Sequence, residues 1–300
     1  MNHPSAVIGA APQASDTQST GFYRLKVGDV TVTAISDGSM KMPLEKLLTN
    51  ISVEDIRQRM TQAAMPTEMD ASVNAFVVDT GDQRILIDTG AGALTGYTGG
   101  HLQNHLRAAG YPPESITLVL LTHIHSDHCG GVSLDGAPVF TQAPVKVSQE
   151  DATYWLARDN LDDIPEGRHR SFNNAKRVMT PVQDSGKLQT FTAPAQVHRL
   201  IRAIPAPGHT PGSVMYLLES GTEKMLFWGD IIHAEPVQMQ EPAVAIQFDI
   251  DQSQAIRTRE QALSDAAEYG YLVGAAHIAF PGTGRVERLG KGYRWVPTNS

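Results

Sequence analysis

Apolar and polar residues alternate over residues 23–27 and 30–34, and Gly28-Asp29 separates the two runs, a pattern that predicts a β-hairpin. A second hairpin is predicted from residues 75–79, a turn at Gly81-Asp82, and residues 84–88. Between them, residues 52–64 open on a capping Ser52 with Glu54 and Asp55 in the first turn, and read as helix. Beyond Asp88, short apolar runs alternate with helical ones. Residues 101–109 and 150–157 read as helices, and 251–268 as the longest helix in the chain. Residues 116–121, 145–147, 195–204, 213–218, 224–228 and 271–276 read as strands. Early hairpins followed by interleaved strands and helices predict sheets covered by helices, an α/β or α+β sandwich, in one domain over residues 21–300.

Composition narrows the class. With 300 residues, 41% hydrophobic and 19% charged, the chain can bury a core without disulfides. Cys129 is its one cysteine, so no intrachain bridge is available. A net charge of −8 and the lack of any Lys/Arg run argue against a nucleic-acid partner. No apolar run approaches the ~20 residues of a membrane-spanning helix. Residues 1–20, rich in Ala, Ser, Gln and Pro, read as a disordered leader or as the trimmed tail of an export signal.

The densest chemistry is Thr122-His123-Ile124-His125-Ser126-Asp127-His128, directly after the strand predicted at 116–121. Three imidazoles and a carboxylate in six residues form a metal-ligand set, and a loop at a strand end can aim several of them at one point. His123 and His125, two apart in extended chain, project to one side, whereas Asp127 and His128 suit a second ion. Further candidates follow later apolar runs: His209 in Pro-Gly-His-Thr-Pro-Gly, Asp230 in Trp-Gly-Asp, and His277 after Gly-Ala-Ala. Taken singly, these fit equally well as a turn histidine, a cap and a core histidine. Their joint order after the first cluster points to metal ligation.

That order, His-x-His-x-Asp-His, then Gly-His-Thr-Pro-Gly, Gly-Asp and a last His, resembles the metallo-β-lactamase superfamily over roughly residues 88–277. The resemblance implies a four-layer αβ/βα sandwich with two metal ions at the edge where the sheets meet. It also implies that His123, His125 and His209 hold one ion, that Asp127, His128 and His277 hold the other, and that Asp230 bridges them. Asp127 and Asp230 are then the catalytic carboxylates, and Asp88, in Asp-Thr-Gly, lies behind the ligands and orients imidazoles. On spacing alone, Asp88 reads equally as a polar strand end before a glycine turn. Cys129 reads as a small packed residue, and His101 and His105 as a solvated helix face. Imidazole and carboxylate suit Zn²⁺, with Co²⁺, Mn²⁺ and Fe²⁺ also open. A pair of such ions lowers the pKa of a shared water toward ~7, so hydrolysis needs no serine nucleophile.

A finer resemblance, to the bacterial methyl parathion hydrolases, rests on Gly21-Phe22-Tyr23-Arg24, Ile35-Ser36-Asp37-Gly38, Asp88-Thr89-Gly90-Ala91, Tyr154-Trp155-Leu156 and Gly290-Lys291-Gly292-Tyr293-Arg294. It implies hydrolysis of a small neutral ester substrate, an organophosphate or thiophosphate triester, in a homodimer that is often exported. A lactonase or arylesterase is the alternative, and a β-lactamase or a non-hydrolytic metal protein a remoter one. By this resemblance Trp155, Phe172, His233, Ile246 and Thr95 line the pocket. His233 and Thr95 are departures from the pattern that make the pocket more polar and open.

Overall fold

The computed structural model describes residues 21–94, 98–158 and 160–298. Strands β1 (Phe22–Val27), β2 (Val30–Pro43), β3 (Glu68–Asp79), β4 (Arg84–Ile87), β5 (Leu118–Leu120), β6 (Val145–Ser148) and β7 (Leu188–Phe191) lie side by side in chain order in one sheet. β1 to β4 pair antiparallel through short turns. β4 to β7 pair parallel, which requires crossovers. Helices α1 (Leu44–Leu47) and α2 (Val53–Gln62) leave the sheet between β2 and β3. The crossovers carry α3 (Leu102–Ala108), α4 (Ser126–Cys129), α5 (Gln149–Leu156) and α6 (Glu166–Asp184).

The second sheet is also in chain order: β8 (Ala195–His198), β9 (Ile201–Pro205), β10 (Val214–Ser220), β11 (Glu223–Phe227), β12 (Leu272–Gly274), β13 (Thr283–Leu289) and β14 (Gly292–Pro297). Its parallel pair is β11 with β12, and the connection between them holds α7 (Glu235–Gln238) and α8 (Gln252–Tyr269). α8 starts on Asp251, whose side chain accepts from the Gln254 amide, and stops at Gly270 in the left-handed region.

Alternation along the strands builds four layers. Val32, Ala34, Phe76, Val78, Ile85, Ile87, Leu118 and Leu120 face the second sheet and meet Ala203, Tyr216, Leu218 and Phe227. Their neighbours Ile35, Val77, Leu86 and Val119 face outward onto Leu106, Trp155, Phe172 and Met179 of the helices. On the far side Leu217, Leu226 and Val273 pack under Ala262, Leu263 and Ala266 of α8. The αβ/βα sandwich expected from the sequence is the fold, and no helix among the described residues is long and apolar enough to cross a membrane.

Two expectations are corrected. Residues 195–204 are two antiparallel strands, β8 and β9, with a register shift between Gln196 and His198. The longest helix is α6, at 19 residues against 18 for α8. Its polar sequence, lack of a side-chain cap and internal Pro181 conceal it, and it is held by Phe172, Ala175, Val178, Met179 and Val182 against the core. The closing hairpin β13–β14 has no counterpart in the sequence reading. The leader at residues 1–20 lies outside the described residues.

Candidate metal centre

Every candidate ligand sits just beyond the C-terminal end of a strand. Asp88 follows β4, the 122–128 loop follows β5, His209 follows β9, Asp230 follows β11 and His277 follows β12. These ends meet because the two sheets share one edge of the sandwich. The loops are also pinned to each other. The Val214 amide donates to Thr122 O at 3.0 Å, and the buried Tyr216 hydroxyl donates to Leu121 O at 2.7 Å. Asp151, fully buried at the start of α5, accepts from the Ile124 amide at 2.7 Å and from the Gly212 amide at 2.9 Å. One carboxylate thus ties the His123–His125 loop to the His209 loop.

The ligand atoms divide into two sets. His123 Nε2 lies 3.0 Å from His125 Nδ1, which lies 2.9 Å from His209 Nε2. Asp230 Oδ2 faces this set, 3.0 Å from His209 Nε2 and 3.6 Å from His123 Nε2. Asp230 Oδ1 faces the other, 2.9 Å from His128 Nε2 and 3.1 Å from His277 Nε2. Asp127 Oδ2 completes that set, 3.4 Å from His277 Nε2 and 3.6 Å from His128 Nε2. Within each of the groups His123–His125–His209–Asp230 and Asp127–His128–His277, the donor atoms lie within 4.8 Å of one another.

Partners behind the ligands fix their tautomers. Asp88 accepts from the Thr122 amide, the Thr122 hydroxyl and His128 Nδ1, each at 2.8 Å. It holds these contacts with φ at 60°, a left-handed conformation that costs a non-glycine residue about 1 kcal/mol or more and that the surrounding bonds must sustain. His277 Nδ1 is 2.9 Å from Ser72 O, and His209 Nδ1 is 2.8 Å from Asp249 Oδ1. In each case the second ring nitrogen is the one left to face the cluster.

Electrostatics fits a cation here. Burial would raise Asp230, but the imidazoles of His128, His277, His233 and His123 outweigh it and hold the carboxyl well below its usual range. Burial, with neighbouring imidazoles, pushes His123 and His125 well below theirs, which favours the neutral imidazole with one ring nitrogen free to ligate. Burial also opposes charge on His128, His277 and His209, yet adjacent carboxylates win and raise all three, His209 to about 9. Asp230 Oδ1 lies 2.9 Å from buried His128 Nε2 and 3.1 Å from buried His277 Nε2, yet none of the three atoms makes a well-directed hydrogen bond among the described residues. Orphaned buried donors this close together are costly unless a ligand satisfies them, and divalent ions satisfy them all. The donor set therefore fits a dinuclear metal centre.

A cavity of about 500 Å³ opens onto the centre, lined by His125, Asp127, His209, Asp230 and His233 at its floor. Trp155, Met40, Phe248 and Ile250 form apolar walls, and Ser171, Arg168 and Gln247 add polar groups. Of the expected pocket residues, Trp155 and His233 are there. Trp155 packs edge-on against His125 with ring centroids 5.2 Å apart, and His233 Nε2 lies 3.0 Å from Asp230 Oδ2. Phe172 and Ile246 are corrected: both are fully buried and off the cavity. Phe172 backs Trp155 at 4.5 Å, and Ile246 joins a separate apolar cluster with Met42 and Ile56. The short strand at 245–246 ends there, and Gln247 and Phe248 beyond it take the wall positions instead. Thr95 lies outside the described residues.

Cys129 is buried in the helix-side core, where burial pushes its thiol far up, and it does not join the ligands. His101 is exposed, but His105 is half-buried with Nδ1 2.6 Å from Ser36 O, so the expected solvated face is only half of that pair. Asp37, Asp151 and Asp249 are buried carboxylates that the sequence reading missed. Asp37 accepts from the Ala91 and Leu102 amides and fixes the Asp88-Thr89-Gly90 loop. Asp151 did leave a signal, since Ser148-x-x-Asp151 is a helix-start pattern, but nothing local reveals that the carboxylate reaches two ligand loops.

Comparison with known proteins identifies the fold and the family. AbOPH, a hydrolase in the beta lactamase superfamily, superposes with a TM-score of 0.88 at 33% identity, over 94% of this chain and 98% of its own. AidC, a dizinc quorum-quenching lactonase in complex with the product N-hexanoyl-L-homoserine, superposes with a TM-score of 0.86 at 25% identity, over 92% and 97%. The atrochrysone carboxyl ACP thioesterase of Passalora fulva is 29% identical over 160 residues, 53% of this chain and 38% of that protein. The chain thus spans less than two thirds of the length of that curated relative. The sequence profile of the Metallo-beta-lactamase superfamily matches residues 70–269, two thirds of the chain, and the chain belongs to that superfamily.

Proposed function

We propose that the chain is a dinuclear metallohydrolase of neutral carboxylic esters, with lactones its best substrates. The observation that carries this reading is the cavity over the centre, whose lining combines apolar Trp155, Met40, Phe248 and Ile250 with the polar side chains of Ser171, Gln247 and Arg168. Asp230 Oδ2 with His123, His125 and His209 would hold one ion, and Asp230 Oδ1 with Asp127, His128 and His277 the other. When bound, two divalent ions supply a water of lowered pKa and an electrophilic contact for an ester oxygen.

The chain's own residues do the rest. Trp155, Met40, Phe248 and Ile250 exclude water and take up an acyl chain. Ser171, Gln247 and Arg168 offer donors to a carbonyl or amide oxygen. His233 is the cavity imidazole outside the two main ligand sets, and it can take the proton released by the attacking water and pass it to a departing alkoxide. A ring-opened lactone or alkyl ester needs that proton, whereas a nitrophenolate leaves without it. AidC, similar over nearly its whole length, supports the same reading. Hydrolysis of organophosphate and thiophosphate triesters is the second reading, favoured by the aromatic wall at Trp155.

A panel on the zinc-loaded protein, with a chelated control, separates these readings. It contains an N-acyl homoserine lactone, a δ-lactone, an aryl acetate, a methyl thiophosphate triester and a β-lactam. The expected result is a chelator-sensitive kcat/KM for a lactone more than tenfold above that for the triester, about 1.4 kcal/mol of transition-state discrimination. A tenfold preference for the triester would replace the ester reading with the second one. Turnover of the β-lactam alone would remove both.

A further inference from the structure

Arg259, on α8, is 1% exposed, unusual for a residue with five N–H donors to satisfy. Its guanidinium is spent on three separate pieces of chain. Nε donates to Ile231 O at 2.7 Å, next to Asp230. Nη1 donates to Pro242 O at 3.0 Å and to Val244 O at 2.7 Å, at the root of the segment that carries Gln247, Phe248 and Ile250 into the cavity. Nη2 approaches Asp249 Oδ2 at 3.5 Å, while Asp249 Oδ1 faces His209 Nδ1. The start of α8 holds the His209 loop as well: the Ile250 amide donates to His209 O, the Asp251 amide to Gly208 O, and the Thr258 hydroxyl to Pro207 O. Gly208 allows this approach, since φ is +127° and a Cβ there would meet the Ala255 amide nitrogen at 2.2 Å.

We infer that Arg259 is a positioning residue that makes the cavity wall and the His209 ligand one mechanical unit. A buried arginine is expensive to desolvate, and apolar packing would hold α8 at less cost if stability were its only task. Its planar fork instead spans carbonyls and a carboxylate that no single apolar side chain could fix. The orientation of His209 and the placement of Gln247 and Phe248 then depend on the same group. This inference rests on the dinuclear metal centre argued above.

The test compares the full-length wild type with Arg259→Lys, Arg259→Met and Asp249→Asn. Zinc affinity is measured by chelator competition, the cobalt-substituted protein by its visible absorption spectrum, and KM and kcat on the best ester of the panel. Arg259→Lys keeps the charge but not the fork. It is expected to weaken the binding of one zinc ion about 10- to 100-fold, to shift the cobalt spectrum and to raise KM more than it lowers kcat. Asp249→Asn should reproduce the loss of affinity, and the Arg259→Lys/Asp249→Asn double variant should be little worse than either alone. A folded Arg259→Lys protein with wild-type zinc affinity, spectrum and KM overturns the inference, even if it melts at a lower temperature. Failure of Arg259→Met to fold leaves the decision with the two milder variants. A wild-type chain that takes up no divalent ion would overturn the metal-centre reading and this inference together.

Discussion

Asp230→Ala is expected to lower kcat/KM on the best ester about a thousandfold and to cut the metal content of the chain from two ions to one or none. The carboxylate faces both candidate ligand sets, with Oδ1 towards His128 and His277 and Oδ2 towards His209 and His123. Removing it leaves each set without the anion that offsets a dication. A catalytic ion contributes several kcal/mol of transition-state charge stabilisation, and ~4 kcal/mol corresponds to roughly three orders of magnitude in rate. The Asn variant has nearly the same shape and separates charge from volume. It should keep some metal but still lose most of the rate, because its amide nitrogen cannot act as a ligand. Elemental analysis and initial rates on the same preparation check both statements. An Asp230→Ala protein with two ions and near-native turnover would remove the bridging role.

Asp88→Ala is expected to act on stability as much as on chemistry. Asp88 is 4% exposed and accepts three hydrogen bonds that join the end of β4 to Thr122 and His128. Its loss orphans a buried amide, a hydroxyl and an imidazole, a class of change that costs about 3–5 kcal/mol. His128 also loses the acceptor that points its Nε2 at Asp230, and metal affinity should fall about 10- to 100-fold in consequence. Urea unfolding of the metal-free protein measures the first effect, and chelator competition on the folded variant the second. Unchanged unfolding midpoints would show that Thr122 and His128 find other partners. Unchanged zinc affinity would show that Asp88 serves the fold alone.

The candidate ligand set was legible because it is local in part and ordered throughout. His123, His125, Asp127 and His128 share one loop, and a loop after a buried strand can be recognised from pattern alone. His209, Asp230 and His277 are isolated in sequence, and only their order after that loop marked them. The hairpins β1–β2 and β3–β4 were readable from strict alternation around short turns. α6 was not, because what holds it is its fit against the core, and its own sequence is polar with an internal proline. Asp37, Asp151 and Asp249 escaped for another reason. Each is a single acid whose partners lie far along the chain: Ala91 for Asp37, Gly212 for Asp151 and His209 for Asp249. The cavity walls were half legible for the same reason, since Arg168 and Gln247 join Trp155 around one cavity only through the packing of α6 and the loop before α8.

The central claim is a two-ion centre shared by one carboxylate. The most direct measurement is elemental analysis of the protein after removal of metal, reloading with zinc and desalting, read together with hydrolysis of the best ester at each loading. The account predicts uptake of two ions per chain and activity that is absent without metal and restored as the ions return. Uptake of one ion or none, or hydrolysis that survives complete removal of metal, would contradict it.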